Sequence, residues 1–356
     1  MRIAVDAMGG DNAPHTLVEG ALQALRDSSG ELEVLLVGDR DLLEAELVRS
    51  HRMDGLSIVH ASEMVGMGEA PTVVLRRKRN SSIAVATDLQ KRGEADAFIS
   101  AGNTGAVVAS TLITLGRLEG VTRPAIISPF PSKKGICTVL DTGANVECKP
   151  ENLLQFGIMG SLYVSHIFGV GEPKVGLLSI GEESSKGSDL TQEAYRLLSD
   201  SGLNFIGNIE GRDILKGTAD VVVCDGFVGN VILKFTESIF ETISSSINAK
   251  VKMNPFGRVG TYLLKSAFDK LREEFNYEEY GGAPLLGVDG VTVICHGNSS
   301  AKAVKNAIKV AERLVRERVN DRIKERLGKE ACEGTKSFEK GPDSGHRISG
   351  SWQGIN

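Results

Sequence analysis

Cysteine is scarce in this sequence, with five residues that are far apart and form no Cys-x-x-Cys pair. The number is odd, so we expect neither a disulfide framework nor a zinc site, and we predict reduced thiols in a cytoplasmic protein. There is also no convincing Gly-x-Ser-x-Gly elbow, His-Glu-x-x-His motif or Walker phosphate loop. These absences argue against a serine hydrolase, a zinc peptidase and a P-loop enzyme, and we predict no metal and no cofactor.

An excess of positive charge is missing as well. The formal net charge is −5 and the isoelectric point is about 5.8, which argues against general nucleic-acid binding. The chain opens directly on a strand pattern, so we expect no signal peptide. Residues 97–116 form an uncharged run of transmembrane length. The run carries three glycines, Asn103 and five Ser or Thr residues, and we interpret it as strand, turn and buried helix.

Short β-branched runs alternate with helical patterns almost throughout, which predicts an α/β protein with a mostly parallel sheet. The predicted strands are Ile3–Asp6, Val34–Val37, Ser57–His60, Phe98–Ser100, Ala125–Ser128, Cys137–Leu140, Val175–Ile180, Phe205–Ile206, Val221–Cys224 and Thr292–Cys295. Predicted helices begin after Asn12, Asp39, Ala70, Asn103, Lys149, Ser188 and Gly229, and a last one covers Ser299–Leu327. We expect one catalytic unit over residues 1–328 and a poorly ordered polar tail over 329–356.

Glycine is abundant, with 41 residues that lie mostly at strand ends. The predicted strand that ends at Ser100 runs into Gly102, Asn103, Thr104 and Gly105 and then into a helix. A glycine turn that opens a helix presents unpaired backbone N–H groups to an anion. The alternative is an ordinary helix cap by Asn103 or Thr104.

The first predicted strand ends similarly, in Asp6, Gly9, Gly10 and Asp11. Ligands of parallel sheets lie at the carboxyl ends of the strands, so these residues are candidates for substrate binding. The alternative is an ordinary turn with Asn12 as helix cap.

Two further strand-end turns contain polar candidates. Asn145 closes the turn after Leu140, and Lys186 lies in a Gly-rich loop after Ile180. Lys186 could pair with an anionic substrate, or it could simply neutralise Glu182 or Glu183 in a solvated loop.

The last candidates follow two more predicted strands. Asp225 and Asn230 open a helix, and His296 precedes the final helix. His296 could equally be an ordinary turn histidine. We expect all these turns, including those at Gly143 and Gly181, to share one cleft at the strand ends.

Two segments suggest partners. Arg76, Arg77, Lys78 and Arg79 form the strongest positive run, which is either a solvated helix face or a docking site for an acidic partner.

Residues 236–275 predict a helical hairpin that projects from the fold. Lys252 and Arg258 supply positive charge there, and Phe256, Val259 and Leu263 supply apolar surface. A basic, apolar tip fits a membrane surface, and a dimer interface explains the pattern equally well.

Taken together, these motifs resemble the bacterial phosphate acyltransferases of phospholipid synthesis, the PlsX family. The matching stretches are Val5–Asp11, Ala95–Gly105, Arg123–Ala125, Leu140–Asn145, Gly181–Glu183 with Lys186–Gly187, Asn204–Asn208, Cys224–Asn230 and Gly282–Gly287. Ser179 and the pair Ser184 and Ser185 depart from the usual family pattern.

The resemblance implies a three-layer α/β/α fold, like that of isocitrate and isopropylmalate dehydrogenases, in a homodimer. It implies that acyl-ACP and inorganic phosphate give acyl phosphate and free ACP. A membrane glycerol-3-phosphate acyltransferase then uses the acyl phosphate. The family is cytoplasmic, with peripheral contact to the membrane.

The expected chemistry suits these residues, because phosphate is an ionised nucleophile and a thiolate is a good leaving group. Positioning and oxyanion stabilisation remain for the protein to supply. We predict that the turns at Gly9–Gly10 and Gly102–Gly105 bind phosphate and that Lys186 neutralises charge. Asn230 or Asn103 would then donate to the oxyanion. An NAD(P)-dependent dehydrogenase of related fold and a non-catalytic adaptor between ACP and the membrane are the alternatives.

Overall fold

The computed structural model describes residues 1–28, 30–50, 54–252 and 277–328. The strands are β1 (Arg2–Asp6), β2 (Glu33–Gly38), β3 (Leu56–His60), β4 (Ala97–Ser100), β5 (Ala125–Ser132), β6 (Gly135–Leu140), β7 (Val175–Leu178), β8 (Phe205–Ile209), β9 (Val221–Val223), β10 (Ala283–Leu286) and β11 (Val291–Ile294). The helices are α1 (His15–Asp27), α2 (Arg40–Ser50), α3 (Val73–Arg76), α4 (Ser82–Lys91), α5 (Thr104–Thr114), α6 (Pro150–Phe168), α7 (Asp189–Ser199), α8 (Gly211–Ile214), α9 (Gly226–Lys252) and α10 (Ala301–Arg316). A short 3₁₀ helix covers Tyr277–Tyr280, and residues 319–328 are helical.

All strands belong to one 11-stranded sheet with the order β3-β2-β1-β4-β11-β10-β5-β6-β9-β7-β8. Most neighbouring pairs are parallel, which confirms the predicted mostly parallel sheet. The exceptions lie at the centre, where β10 is antiparallel to both β11 and β5, and β6 is antiparallel to β5. Consequently β6, β7, β8 and β9 run opposite to β1, β2, β3, β4 and β11.

The expectation that all strand-end turns share one cleft holds only in part. The turns after β6 and β9 belong to the reversed half of the sheet, yet Thr142 and Asn230, which follow these strands, line the same cavity as Thr104 after β4. Gly181 and Lys186 follow β7, which lies beyond β9 in the strand order, and neither residue lines that cavity. The short strand β10, which introduces the reversal, is one that the sequence reading missed.

Helices cover both faces of the sheet, which confirms the three-layer α/β/α architecture. On one face the buried side chains of α1, α2, α6, α7 and α10 form one continuous core with the sheet. On the other face α3, α4 and α5 cover the first half of the sheet, and α8 and α9 cover the second half. Buried residues of β1 alternate between these cores, since Ile3 and Val5 face one layer and Ala4 the other.

Local sequence signals set most helix ends. Side chains of Ser81, Asn103, Ser188 and Ser300 cap α4, α5, α7 and α10. Pro150 occupies the first turn of α6, and Gly169 ends that helix in the left-handed conformation with φ 73°.

Three predicted helices differ from the structure. The helix predicted after Ala70 is divided into α3 and α4 by a turn. The final predicted helix is interrupted after Arg316, where Arg318 adopts a positive φ of 52°. The helix α9 begins at Gly226 rather than after Gly229, because the Asp225 carboxylate caps it by accepting from Val228 N (2.9 Å).

The predicted hairpin is only partly described. Its first arm is helical and ends with α9 at Lys252. Phe256, Arg258, Val259 and Leu263 lie outside the described residues, as does the tail 329–356. Over the described ranges, no helix is both long enough and apolar enough to cross a bilayer.

Candidate active site

The turns after β1 and β4 are held together by a buried carboxylate. Asp6 accepts hydrogen bonds from Ser100 Oγ (2.6 Å) and Met8 N (3.1 Å), and burial raises the pKa of its carboxyl group. A Cβ atom on Gly9 would stand 2.5 Å from Asp6 Oδ2 and 2.6 Å from Gly102 N, so only glycine fits there. Asp6 and Gly9 therefore position these turns, and neither belongs to the lining of the central cavity described below.

Gly10 and Asp11 join the first turn to the one that precedes α10. Gly10 has a φ of +100°, and Asp11 N donates to Gly297 O (2.7 Å). This bond brings the segments around Asp11 and His296 to the same cavity, as the sequence predicted for residues at strand ends.

Asn103 organises the entrance to α5. Its Oδ1 atom caps the helix by accepting from Ala106 N (3.0 Å). Its Nδ2 group donates to Met67 O (3.0 Å) and Glu69 O (2.9 Å), with a longer contact to Gly66 O at 3.4 Å. Both amide hydrogens are therefore used to hold the loop 66–69, which disfavours the predicted role of Asn103 as an oxyanion donor.

Thr104 and Gly105 begin α5 with open donors. In the part of the chain that the structure describes, their backbone N–H groups donate no hydrogen bond. Gly105 is also where the segment before α3 packs closely, because a Cβ there would lie 2.5 Å from Pro71 Cγ. The helix therefore presents unpaired N–H groups and its positive end to solvent, as predicted for an anion site.

A second buried carboxylate, Asp141, shapes the turn after β6. Its two oxygens accept hydrogen bonds from five N–H groups, those of Ile126 N, Gly143 N, Ala144 N, Asn145 N and Asn145 Nδ2, at 2.7–3.1 Å. Burial raises the pKa of this carboxyl group, and the hydrogen bonds oppose that rise. Asn145, predicted to bind substrate, is buried and donates to Asp141 and Pro124 O (2.7 Å), so it positions the turn instead.

The start of α9 packs directly on this turn. Gly226 and Gly229 leave no room for a side chain, because each approaches the backbone or carboxylate around Asp141. One turn later, Asn230 is exposed. Within the described residues its side chain makes no hydrogen bond, so its amide is open to a ligand.

These elements enclose a central cavity of about 380 Å³. Its polar lining is Asp11, Thr104, Ser128, Thr142, Asn230, Lys234, Glu237, Tyr280, His296 and Ser299. Apolar side chains of β5, β11 and α9 complete the wall. The N-termini of α5 and α10 both reach this cavity, through Thr104 and Ser299.

A charged cluster closes one side of the cavity. Lys234 Nζ lies 2.7 Å from Glu237 Oε2 and 3.1 Å from His296 Nε2. An ammonium group can only donate, so the contact with Lys234 makes His296 Nε2 the acceptor. Asn298 N also lies 3.2 Å from His296 Nδ1. Among the described residues Lys234 has two partners, Glu237 and His296, which leaves one of its three N–H groups for an anion.

Sequence reasoning missed Lys234 and Glu237. They follow Asn230 at helical spacing on α9 and share one face with it. That spacing was the available signal, but only the fold shows that this face is turned toward His296.

A hydroxyl pair lies on the floor of the cavity. Thr142 Oγ1 donates to Ile126 O (3.1 Å), so the 2.8 Å contact with Ser128 Oγ requires Ser128 to be the donor. Ser128 Oγ consequently offers only lone pairs to a ligand.

A groove continues from the cavity along α5. It encloses about 520 Å³ and is lined by Thr104, Gly105, Val108, Ala109, Leu112, Thr142, Gly143, Ala144 and Asn230. We call it the α5 groove. Three of its residues, Thr104, Thr142 and Asn230, also line the central cavity.

Other sequence candidates lie apart from both spaces. Lys186 is exposed and belongs to neither lining. Arg76, Arg77 and Arg79 are exposed, but Lys78 is bound to Glu69 (2.6 Å) and Met64 O (2.8 Å). The run therefore offers three arginines to a partner rather than four cations.

In residues 1–28, 30–50, 54–252 and 277–328, no three His, Cys, Asp or Glu side chains form a group that could hold a metal ion.

Known proteins are similar to this sequence over most of its length. A family model described as fatty acid synthesis protein matches residues 1–322. The phosphate acyltransferase of Pelotomaculum thermopropionicum is 51% identical over 318 residues, which cover 89% of this chain and 92% of the relative. The chain belongs to the phosphate acyltransferase family. The phosphate acyltransferase of Geobacter sulfurreducens is 49% identical, with 89% and 91% of the two chains covered.

The phosphate acyltransferase chain also shares its fold with a solved phosphotransacetylase from Streptococcus pyogenes. The TM-score is 0.59 at 18% identity, with 88% of this chain and 94% of the other covered. The family match identifies an acyltransferase, so neither the dehydrogenase nor the adaptor alternative is needed.

Proposed function

We propose that this chain transfers a fatty acyl group from acyl-ACP to inorganic phosphate and so supplies acyl phosphate for phospholipid synthesis. One observation carries the proposal. In a chain of the phosphate acyltransferase family, Thr104, whose backbone N–H group is open, lines the same cavity as Lys234 and His296.

Phosphate would bind between the two helix N-termini and the charged cluster. The α5 donors and the positive end of α10 favour a dianion. Lys234 adds one cation, which Glu237 partly balances. A site built mainly of N–H donors, with few cations, binds phosphate without strongly lowering its nucleophilicity. Ser128 Oγ can accept a hydrogen bond from the remaining P–OH group.

The reaction balances without a cofactor. A phosphate oxygen attacks the thioester carbonyl carbon, a C–O bond forms, and the C–S bond breaks. The hydrogen of the phosphate ends on the ACP thiol. The side-chain amide of Asn230 would donate to the carbonyl oxygen as it becomes an oxyanion. Lys186 remains a predicted source of charge neutralisation, outside the cavity lining.

The first experiment tests the reaction itself. The protein is incubated with acyl-ACP and phosphate, and acyl phosphate is trapped as hydroxamate with hydroxylamine. We expect hydroxamate only when both substrates are present. Absence of phosphate-dependent hydroxamate would refute the proposed function.

A pair of lysine variants tests the site. Lys234→Ala should lower turnover by about tenfold or more. The reason is that it removes a cation that would stabilise the negative charge developing in the transition state. Lys186→Ala, which the sequence reading predicts to have a similar effect, is measured beside it. Circular dichroism checks folding, and turnover like that of the wild type would remove the respective lysine from the mechanism.

We further propose a homodimer with peripheral membrane contact through the α9 hairpin. Phe227, Val231, Phe235, Ile239 and Ile243 recur every four residues along α9 and are all exposed. A stripe of this kind favours burial against a second copy or a lipid surface. Phe235→Glu should shift the mass measured by light scattering from dimer to monomer, and an unchanged mass would contradict dimerisation through this stripe.

ACP itself is the proposed partner of the basic run, through Arg76, Arg77 and Arg79. The loop held by Asn103 links this run to the cavity entrance, where Met67 lies. A membrane glycerol-3-phosphate acyltransferase would consume the product. We propose a cytoplasmic location, in keeping with these partners.

A further inference from the structure

The helix α5 is apolar on two sides. From Asn103 to Leu115 the sequence contains no charged residue and no histidine. The inward side packs Ala106, Val107 and Thr111 into the core. A surface helix normally carries polar residues on its outward side, but here the half-exposed positions include Val108, Ala109 and Leu112. These three side chains pack in part against the core and keep the rest of their apolar surface exposed, and an apolar ligand could cover that remainder.

The α5 groove is built on this outward side. Val108, Ala109 and Leu112 form one wall, and the turn at Gly143–Ala144 forms the other. Gly143 has a φ of +138° and carries no side chain into the space. None of the described residues that line the groove is ionisable, so an apolar ligand could be enclosed there without burying one of their charges.

The groove and the central cavity divide the chemistry between them. The cavity is lined by Lys234, Glu237 and His296, a charged and polar cluster that disfavours hydrocarbon, and its lysine suits phosphate. The two spaces meet at Thr104, Thr142 and Asn230. At this junction a thioester carbon would face phosphate on one side and keep its alkyl chain on the other.

We propose that the α5 groove binds the acyl chain of the thioester substrate and that Ala109 and Leu112 set how it accepts chains of different length. This inference rests on the proposed function. From Gly105 to Leu112 the helix extends about 10 Å, at 1.5 Å per residue. A long acyl chain would therefore run past Ala109, whereas a four-carbon chain would end near the junction.

The test compares chain lengths in the full-length enzyme. Ala109→Trp fills the groove and should lower kcat/KM for palmitoyl-ACP by about tenfold or more, while butyryl-ACP changes by less than about twofold. Ile113→Trp is the matched control, because Ile113 is exposed on the same helix but does not line the groove. Equal losses for both chain lengths, or the same chain-length effect in the control, would overturn the inference.

A second variant and a direct label protect the test against misfolding or lack of turnover. Leu112→Ala removes apolar contact and should lower kcat/KM for palmitoyl-ACP more than for butyryl-ACP. Palmitoyl-ACP with a diazirine on the acyl chain should label residues 104–115 on irradiation of the wild type. Label confined to the cavity wall at Leu233 would overturn the inference, even if no acyl phosphate is formed.

Other occupants of the groove give different results. If Ala109→Trp changes the oligomeric mass, this side of α5 is an interface between copies. If the variant instead loses binding to anionic phospholipid vesicles, the side is a membrane contact. Either result, with chain-length preference unchanged, would refute the acyl site. Failure of the wild type to form hydroxamate would refute the proposed function separately.

Discussion

Asn103 is predicted to link the stability of the fold to the shape of the site. Replacement by alanine removes the cap of α5, which costs about 1 kcal/mol of unfolding free energy. It also removes the donors to Met67 O and Glu69 O, at 3.0 and 2.9 Å, each worth about 1 kcal/mol. The contact to Gly66 O at 3.4 Å adds little. We therefore expect Asn103→Ala to destabilise the protein by about 3 kcal/mol.

Two variants divide this effect into its parts. Asn103→Ser keeps a capping oxygen and loses the loop donors, so it should cost about 2 kcal/mol. Ser188→Ala removes the cap of α7 outside the site and should cost about 1 kcal/mol without changing kinetics. Urea denaturation followed by circular dichroism measures the three values.

The same variants predict kinetic changes. Met67 lines the central cavity, so release of its loop should lower kcat/KM for phosphate by about tenfold in both Asn103 variants. Hydroxamate formation at varied phosphate concentration gives this value. If Asn103→Ala retains the stability and kinetics of the wild type, the positioning role is refuted.

Three further predictions concern charge and burial. Arg76→Glu with Arg77→Glu should raise KM for acyl-ACP and leave KM for phosphate unchanged, and an unchanged KM for acyl-ACP would exclude docking there. The hydrogen bond from Lys78, and after it the one from Gly66 N, lowers the pKa of Glu69 from its usual 4.5. The pairing of Lys78 with Glu69 therefore stabilises the fold above pH 4.5, and this stabilisation is lost as the pH falls through the pKa of the folded state. The stability difference between wild type and Lys78→Met should therefore shrink from pH 7 to pH 3, and a constant difference would contradict the pairing. Burial raises the pKa of the Cys137 thiol to about 12, so iodoacetamide at pH 8 should label it only after unfolding, and rapid labelling of the native protein would refute its burial.

Local patterns predicted the regular elements well. Each of the ten predicted strands corresponds to a strand of the structure, since short β-branched runs between turns are strong signals. The short strand β10 was missed because Ala283–Leu286 contains proline and lies between glycines. The turn between α3 and α4 was missed because the charged run Arg76–Arg79, which begins at the end of α3, is also typical of a solvated helix face.

Candidate residues were found more reliably than their roles. Thr104, Asp11, Asn230 and His296 do line the central cavity. Asp6, Asn103 and Asn145 instead hold the turns that shape it, because the hydrogen bonds of each side chain go to neighbouring protein groups. Sequence shows that a polar residue follows a strand, but it does not show whether that residue already has a partner.

The sequence by itself determined the fold class, the family and the glycine turn that opens α5. These depend on periodicity, on turn chemistry and on motifs that are contiguous in the chain. Only the tertiary structure decided which turns meet. The position of β7 beyond β9 in the sheet leaves Lys186 outside the cavity lining, and the course of α9 brings Lys234 to His296, 62 positions along the chain. Contacts at that separation depend on strand order and direction, which local sequence does not encode.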